Sequence, residues 1–221
     1  MRVDDLISAG EGRGIDVALQ RADDLDQASL DHIVQLVKDG KTVDAIDIAS
    51  GSGGHAVRMA KVGANVIASD ILDRTTDLAA LAKANQVQDR VRFQVSNMLD
   101  LADLPQGQDV ITCQRAIHYL PYAKGQVALT EMKKLLKDGG KIFISASGLG
   151  SELGNDYPHK DLPVTERFSK LEDAMAKHHD ILQPVCLYTE VDLKAALEEA
   201  GFTVDKIYAS SFGNIKAIAT K

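Results

Sequence analysis

Residues 45–60 read AIDIASGSGGHAVRMA, and this stretch decides the fold. An apolar run ends in a glycine turn, at which Gly51, Gly53 and Gly54 allow a sharp bend and a close approach to a bound molecule. A helix that opens at His55 would direct its N–H groups and a partial positive charge at that molecule. The stretch therefore predicts a strand, a turn and a helix that together bind a nucleotide-like ligand.

Outward from this stretch, strand-like and helix-like segments alternate. Apolar strand-like runs lie at residues 43–49, 65–70, 90–96, 109–114 and 141–147. Helical patterns with an apolar face lie at residues 24–39, 55–62, 72–85 and 123–137. The alternation is typical of βαβ units, so we predict an α/β fold with a Rossmann-like, doubly wound, mostly parallel sheet.

The remainder of the chain adds a long connection and a closing unit. Residues 148–180 begin rich in glycine and polar residues, and we expect helix from about Thr165. Long connections at the carboxyl end of a parallel sheet usually serve a ligand. Thr189, with Asp192 three residues later, is typical of a helix start, and strand-like runs follow at residues 202–210 and 214–220.

These patterns predict one domain over residues 1–221. Residues 1–40 would form an N-terminal helical cap, and the insertion at 148–180 would cover the substrate site. Within the cap, residues 10–16 read GEGRGID, which fits either a disordered start or a closing lid. We favour the lid.

Composition restricts the classes of function. The 221 residues are 45% hydrophobic, enough for one sizeable core, and the net charge of -7 would repel a phosphate backbone. We therefore expect a small-molecule substrate and no nucleic-acid partner. No apolar stretch approaches the roughly 20 residues that cross a bilayer, and the acidic start is unlike a signal peptide. We predict a cytoplasmic protein without a membrane partner; the oligomeric state is open.

The cysteine and histidine patterns predict no metal site. Cys113 and Cys186 lie far apart in apolar runs, as buried free thiols do, and neither has a partner at metal-ligand spacing. His178 and His179 are adjacent, so on a helix they would point roughly 100° apart.

The glycine turn alone fits two cofactors. Gly51, Gly53 and Ala56 form the pattern G-x-G-x-x-A, and Asp70 ends the next strand-like run. In a dinucleotide fold such an acid binds a ribose. An NAD(P)-dependent oxidoreductase is therefore one interpretation of this chain.

Further motifs, in their order along the chain, resemble the class I S-adenosylmethionine-dependent methyltransferases. Asp47 precedes the turn in the pattern D-x-A-x-G-x-G-G, Asp70 ends the second strand, and Ser96-Asn97-Met98 follows the third. The segments QRAIHYL at 114–120 and LLKDGGKIFIS at 135–145 are similar to later motifs of that family. The resemblance covers residues 24–147 and extends to AALEEAGFTVDKIYA at 195–209. Ala49 in place of the usual first glycine and Asn97 in place of a frequent acid are departures that leave binding possible.

The resemblance implies a seven-stranded sheet with an antiparallel last strand, and S-adenosylmethionine as cofactor with S-adenosylhomocysteine as product. It implies that the cofactor contacts Asp47, Ala49, Gly51, Gly53, Asp70, Ile71, Asn97, Met98 and Gln114. The implied reaction is in-line transfer of a methyl group to a small acceptor. Because the sulfonium is already a good leaving group, alignment and exclusion of water are the main tasks of the protein.

Side chains beyond the cofactor motifs are weaker candidates. His118, just past the fourth strand, is a candidate general base, although a histidine that shapes the pocket and its loop is the favoured interpretation. Arg13, Tyr119, Tyr157 and His159 are candidate substrate contacts. A methyltransferase-like binding protein that transfers nothing is a third interpretation, and the sequence does not identify the acceptor atom.

Overall fold

A computed structural model describes residues 8–221 and contains one seven-stranded sheet. The strands are β1 Asp44–Ile48, β2 Asn65–Asp70, β3 Val91–Val95, β4 Gln108–Gln114, β5 Leu136–Ala146, β6 Thr203–Ala209 and β7 Ile215–Thr220. Their order is β3-β2-β1-β4-β5-β7-β6, and β7 runs antiparallel to both of its neighbours. The predicted Rossmann-like α/β fold, with seven strands and an antiparallel last strand, is confirmed.

Helices cover both faces of the sheet. They are α1 Val17–Gln20, α2 Asp24–Lys38, α3 Gly54–Lys61, α4 Thr75–Ala84, α5 Tyr122–Leu135, α6 Asp173–His179 and α7 Glu190–Glu199. Side chains of α2, α3 and α4 form one core with Ala45 of β1, and those of α5 and α7 form a second core with Ile46 and Ile48. None of the helices within residues 8–221 is long and apolar enough to cross a membrane.

Capping side chains set the ends of two helices. Asp23 and Asp26 form a capping box at the start of α2, and Thr189 and Asp192 form the one that the sequence predicts for α7. By contrast α4 begins at Thr75, three residues later than expected from the sequence.

The expected helix from Thr165 is wrong, since within the insertion α6 begins only at Asp173. Between Thr165 and Asp173, hydrogen bonds to other parts of the chain replace the hydrogen bonds of a helix. The Arg167 guanidinium donates to the Leu162 carbonyl and to Asp192, and the Ser169 N–H donates to the Val185 carbonyl. These bonds hold residues 165–172 against the next part of the chain.

Both cysteines are buried free thiols, as the sequence predicts. Burial raises the pKa of the Cys113 thiol above its usual range and that of Cys186 to about 12. Both thiols therefore stay protonated and unreactive at neutral pH.

Candidate active site

A cavity opens at the carboxyl edge of β1, β2, β3 and β4, where the strand ends meet. Eight of the nine predicted cofactor residues lie in its wall: Asp47, Ala49, Gly51, Asp70, Ile71, Asn97, Met98 and Gln114. The ninth, Gly53, is buried beneath the turn. Because parallel strands present their carboxyl ends on one side, residues from four separate strand ends converge at this edge.

The backbone of the glycine turn, residues 49–54, is bonded to protein groups. Ala49 has φ +56°, a left-handed conformation that favours glycine and costs an alanine about 1 kcal/mol. The Gly51 N–H donates to Asp70 at 3.0 Å, the Ser52 N–H to Asp16 at 2.9 Å, and the Gly53 N–H to the Ser50 carbonyl. The turn therefore directs these three donors at carboxylates and a carbonyl of the protein.

Asp16 is a cavity residue that the sequence analysis missed. Its Oδ1 accepts a hydrogen bond from the Leu19 N–H and so caps α1. Its Oδ2 lies so close to Gly51 that a Cβ on Gly51 would be 2.7 Å from it. Its carboxylate is therefore buried against the turn and borders the cavity. An isolated Asp in an irregular segment gave no signal of this position, because the contact joins residues 36 apart in the chain.

The other two glycines of the turn serve packing. A Cβ on Gly53 would lie 2.4 Å from Leu78 Cδ1, and one on Gly54 would lie 2.3 Å from the Ala18 carbonyl oxygen. Gly54 therefore allows α1 to lie directly on the start of α3. The sequence predicted a close approach at these glycines but assigned it to a ligand.

Asp47 lies near the end of β1 and is 4% exposed. Its carboxylate accepts a hydrogen bond of 2.6 Å from the Thr112 hydroxyl on β4. Burial raises the pKa of Asp47 to about 7, assisted by the nearby charges of Asp26 and Asp16 and opposed by the bond to Thr112. A cationic group placed against this carboxylate would favour its ionised form.

A second buried acid, Asp26 of α2, was not predicted for the site. Gln114 donates its side-chain amide to Asp26, and His55 Nδ1 lies 3.0 Å from the same carboxylate oxygen. His55 Nε2 is 3.0 Å from the Ser29 hydroxyl. Burial lowers the pKa of His55 to about 4, so the ring is neutral at pH 7 and places no positive charge beside the Asp26 carboxylate.

Asp70 ends β2 with its carboxylate on the cavity. It accepts hydrogen bonds from the Gly51 and Leu72 N–H groups at 3.0 and 3.1 Å. It does not cap α4, whose N-cap is Arg74. The carboxylate is thus fixed at the strand end by the two loops between which a ribose would bind.

The far side of the cavity is more apolar. Ile71 is 50% exposed, and the partly buried Met98 packs against the core. Asn97 Oδ1 accepts from the Leu99 N–H at 3.0 Å, which orients the amide in its turn. This arrangement of an apolar wall with one amide fits an adenine ring, which the resemblance predicts here.

His118 is 1% exposed and does not reach the cavity wall. The Ser147 N–H donates to its Nδ1 at 3.3 Å, and the Ser147 hydroxyl lies 3.3 Å from Nε2. Burial and the charge of Arg115 lower the pKa of His118 to about 3, which makes the imidazole a weak base. The position favours the alternative of a histidine that shapes the pocket.

The structure places the four predicted substrate residues in two groups. Arg13 and Tyr119 line the cavity, whereas Tyr157 and His159 lie outside its wall. Tyr157 is 1% exposed and donates its hydroxyl to the Val185 carbonyl, so it holds the insertion together. The wall near Arg13 comes from the N-terminal segment, residues 8–20.

The insertion supports this N-terminal segment. The Gly14 N–H donates to the Asp180 carbonyl, the Leu182 N–H donates to the Gly12 carbonyl, and a Cβ on Gly12 would lie 2.6 Å from Leu182 Cβ. The part of residues 10–16 that faces the cavity is therefore packed as a cover. Residues 1–7 of the predicted cap lie outside the described residues.

Three possible metal ligands lie together on the surface. Ligand atoms of Glu152, His178 and His179 are within 4.8 Å of one another, and His179 Nε2 is 3.6 Å from the Glu152 carboxylate. Glu152 and His178 are exposed, and none of the three lines the cavity. That the chain holds no metal stays a prediction.

Arg115 was also missed, although it directly follows β4. It lines the cavity, is partly buried, and has φ +52°. Its backbone N–H donates to the carbonyl and the hydroxyl of Ser145, which fixes the turn. The signal that could have identified Arg115 is its position, since it is a polar residue directly after a strand that ends at the cavity.

Comparison with known proteins identifies a domain in this chain. Residues 45–140 match the model of a methyltransferase domain. The ubiquinone biosynthesis O-methyltransferase of Leptothrix cholodnii is 28% identical over 149 residues, 64% of this chain and 63% of that protein. That of Coxiella burnetii is 31% identical over 50% of this chain and 45% of its own length. The chain thus spans less than two thirds of these curated relatives.

Solved structures share the fold. The 1,6-didemethyltoxoflavin-N1-methyltransferase of Burkholderia thailandensis, with bound S-adenosylhomocysteine, aligns with a TM-score of 0.63 at 20% identity, covering 89% of this chain and 79% of that one. The magnesium protoporphyrin IX methyltransferase of Synechocystis aligns with a TM-score of 0.61 at 16% identity, covering 89% and 83%. The chain thus contains a stretch that matches a methyltransferase domain, and it shares the fold of these solved methyltransferases.

Proposed function

We propose that the protein transfers a methyl group from S-adenosylmethionine to a small-molecule acceptor. The charge of the cavity carries this proposal. Asp16, Asp26, Asp47 and Asp70 all border it, and the N–H groups of Gly51 to Gly53 are already bonded within the protein. Four carboxylates would repel a pyrophosphate, whereas they suit a sulfonium with an ammonium group. The site therefore favours this cofactor over NAD(P).

Each part of the cofactor has a counterpart in the wall. Asp47 would face the amino group, Asp70 would accept from the ribose hydroxyls, and Ile71, Met98 and Asn97 would enclose the adenine. When bound, this cofactor supplies a methyl group on a positively charged sulfur, which leaves as a neutral thioether. The chain's own work is to orient the acceptor and exclude water, and the N-terminal segment, packed over the cavity by the insertion, does the second.

For the methyl acceptor, we propose a class of molecule and no single compound. The net charge of -7 disfavours nucleic acid, and a covered cavity suits a small molecule better than an extended polymer. The relatives named above act on small molecules according to their names, which agrees with this proposal. Action in the cytoplasm, with no membrane partner, remains a prediction from the sequence.

Calorimetric titration with S-adenosylhomocysteine and, separately, with NADH tests the cofactor. We expect S-adenosylhomocysteine to bind with a dissociation constant of about 1 to 100 μM and NADH to give no heat at about 1 mM. Tight binding of NADH, or no binding of S-adenosylhomocysteine to folded protein at about 1 mM, would refute the proposal. Formation of S-adenosylhomocysteine from S-adenosylmethionine and a pool of metabolites then separates an enzyme from a protein that only binds.

A further inference from the structure

Two arginines line the cavity together with Tyr119. They are Arg115, which follows β4, and Arg13 of the N-terminal segment. Burial raises the pKa of Tyr119, and the positive charges of Arg13 and Arg115 act against this rise. Both guanidinium groups therefore lie near the Tyr119 side chain. A Cβ on Gly14, next to Arg13, would lie 3.3 Å from the Tyr119 hydroxyl, so the N-terminal segment and the loop after β4 meet here.

The charge of the Arg115 guanidinium is unpaired within the described residues. Among residues 8–221 its side chain makes no hydrogen bond or ion pair, although it is partly buried in a chain with 32 acidic residues. Asp23, whose pKa Arg115 helps to lower, is already bonded to Lys216 at 2.7 Å. A half-buried guanidinium without a partner loses hydration and gains nothing in return, unless a ligand supplies the anion.

The backbone at Arg115 is consistent with such a role. A φ of +52° is a left-handed conformation that is uncommon for a residue with a side chain. Two hydrogen bonds from the Arg115 N–H to Ser145 maintain it, and Arg115 lines the cavity in this conformation. Arg13 bonds to the exposed Glu11 at 2.6 Å, a surface pair of small value that a ligand can replace.

We propose that the acceptor is a carboxylic acid, whose carboxylate binds between Arg115 and Arg13 beside Tyr119. This inference rests on the proposed function, since it assigns the carboxylates of the wall to the cofactor and the two arginines to the acceptor. A cationic cofactor and an anionic acceptor would then each be attracted by different side chains of the same cavity.

Paired acids and amides test the proposal in protein saturated with S-adenosylhomocysteine. The probes are benzoate, 4-hydroxybenzoate, phenylacetate and succinate, each compared by calorimetry with its own uncharged amide. We expect at least one acid to bind at least about tenfold more tightly than its amide. If no acid of the panel is preferred, the proposal is overturned.

Variants show whether the arginine causes the preference. Arg115→Gln should abolish it, and Arg115→Lys should restore part of it, because the charge returns without the planar fork. Arg92→Gln removes the same charge from an exposed position at the other edge of the sheet and should leave the preference intact. A preference that survives Arg115→Gln would refute the assignment.

S-adenosylhomocysteine binding distinguishes the two possible failures. We expect Arg115→Gln to change its dissociation constant less than about twofold. If the cofactor product binds but acids show no preference, only the acceptor assignment fails. If the cofactor product does not bind to folded wild-type protein, the proposed function itself fails. A large loss of cofactor affinity in Arg115→Gln would place the arginine at the cofactor and overturn the proposal.

Discussion

Asp47→Asn should make the protein more stable and a weaker binder of its cofactor. The carboxyl of Asp47 is buried, and its pKa rises from 3.8 to about 7 on folding. A rise of this size corresponds to about 4 kcal/mol of unfavourable free energy once the group is ionised in both states. Because water reaches Asp47 through the cavity, we expect about 1 to 3 kcal/mol. An asparagine still accepts the Thr112 hydroxyl bond and carries no charge.

The pH dependence follows from the direction of the shift. Below about pH 4 the carboxyl is protonated in both the folded and the unfolded chain, so the variant and the wild type should be equally stable. Between about pH 4 and pH 7 the folded chain keeps the proton that the unfolded chain has lost, and the wild type progressively loses stability relative to the variant. Above about pH 7 the difference should be constant.

Urea unfolding of both proteins without ligand, at pH 4, 5.5, 7 and 8, measures this difference. Calorimetry at pH 8 should show S-adenosylhomocysteine binding about 10- to 100-fold more weakly to the variant, because the ammonium loses its carboxylate. Asp44→Asn is the matched control, since Asp44 is exposed at the start of the same strand. A stability difference that does not grow between pH 4 and pH 8 would show that the ionised Asp47 is not strained by burial.

Three further predictions concern the same site. Asp70→Ala should weaken S-adenosylhomocysteine binding by about 1 to 3 kcal/mol in calorimetry, and unchanged affinity would exclude a ribose contact. His118→Ala should lower the melting temperature, while the pH profile of turnover between pH 6 and 9 keeps its shape because the pKa of His118 is about 3. If an ionisation seen in the wild-type pH profile is absent from that of the variant, His118 acts as a general base and the prediction is wrong. Gly54→Ala should displace α1 and weaken cofactor binding at least about tenfold, whereas Gly150→Ala, with open space at its Cβ, should bind normally.

Elements with strong local signals were predictable. Apolar runs bounded by turn residues gave all seven strands, and Thr189 with Asp192 gave the start of α7. Eight of the nine residues that the motifs predict for the cofactor lie in one cavity wall, and their contact with a cofactor stays a prediction. Local patterns suffice here because strand ends, turns and caps depend on residues a few positions apart.

Elements that depend on distant partners were not predictable. Residues 165–172 follow a helical pattern, yet Arg167 and Ser169 find better partners across the insertion. Asp16 lies in no motif, and Arg115 lies in the segment QRAIHYL without being singled out by it, so only the folded chain shows that both border the cavity. His118 follows a strand that ends at the cavity, but its ring turns inward to Ser147.

The sequence by itself determined the α/β fold, the resemblance to methyltransferases and the order of the motifs along the chain, because periodicity and short motifs record local structure. Only the tertiary structure decided what the glycine turn does. Its N–H groups bond to Asp70 and Asp16, and Gly54 makes room for α1, contacts that join residues 19 to 36 positions apart. The charged groups around the cavity come together through such long-range placements, so the proposed binding of a cationic cofactor and an anionic acceptor depends on the folded chain.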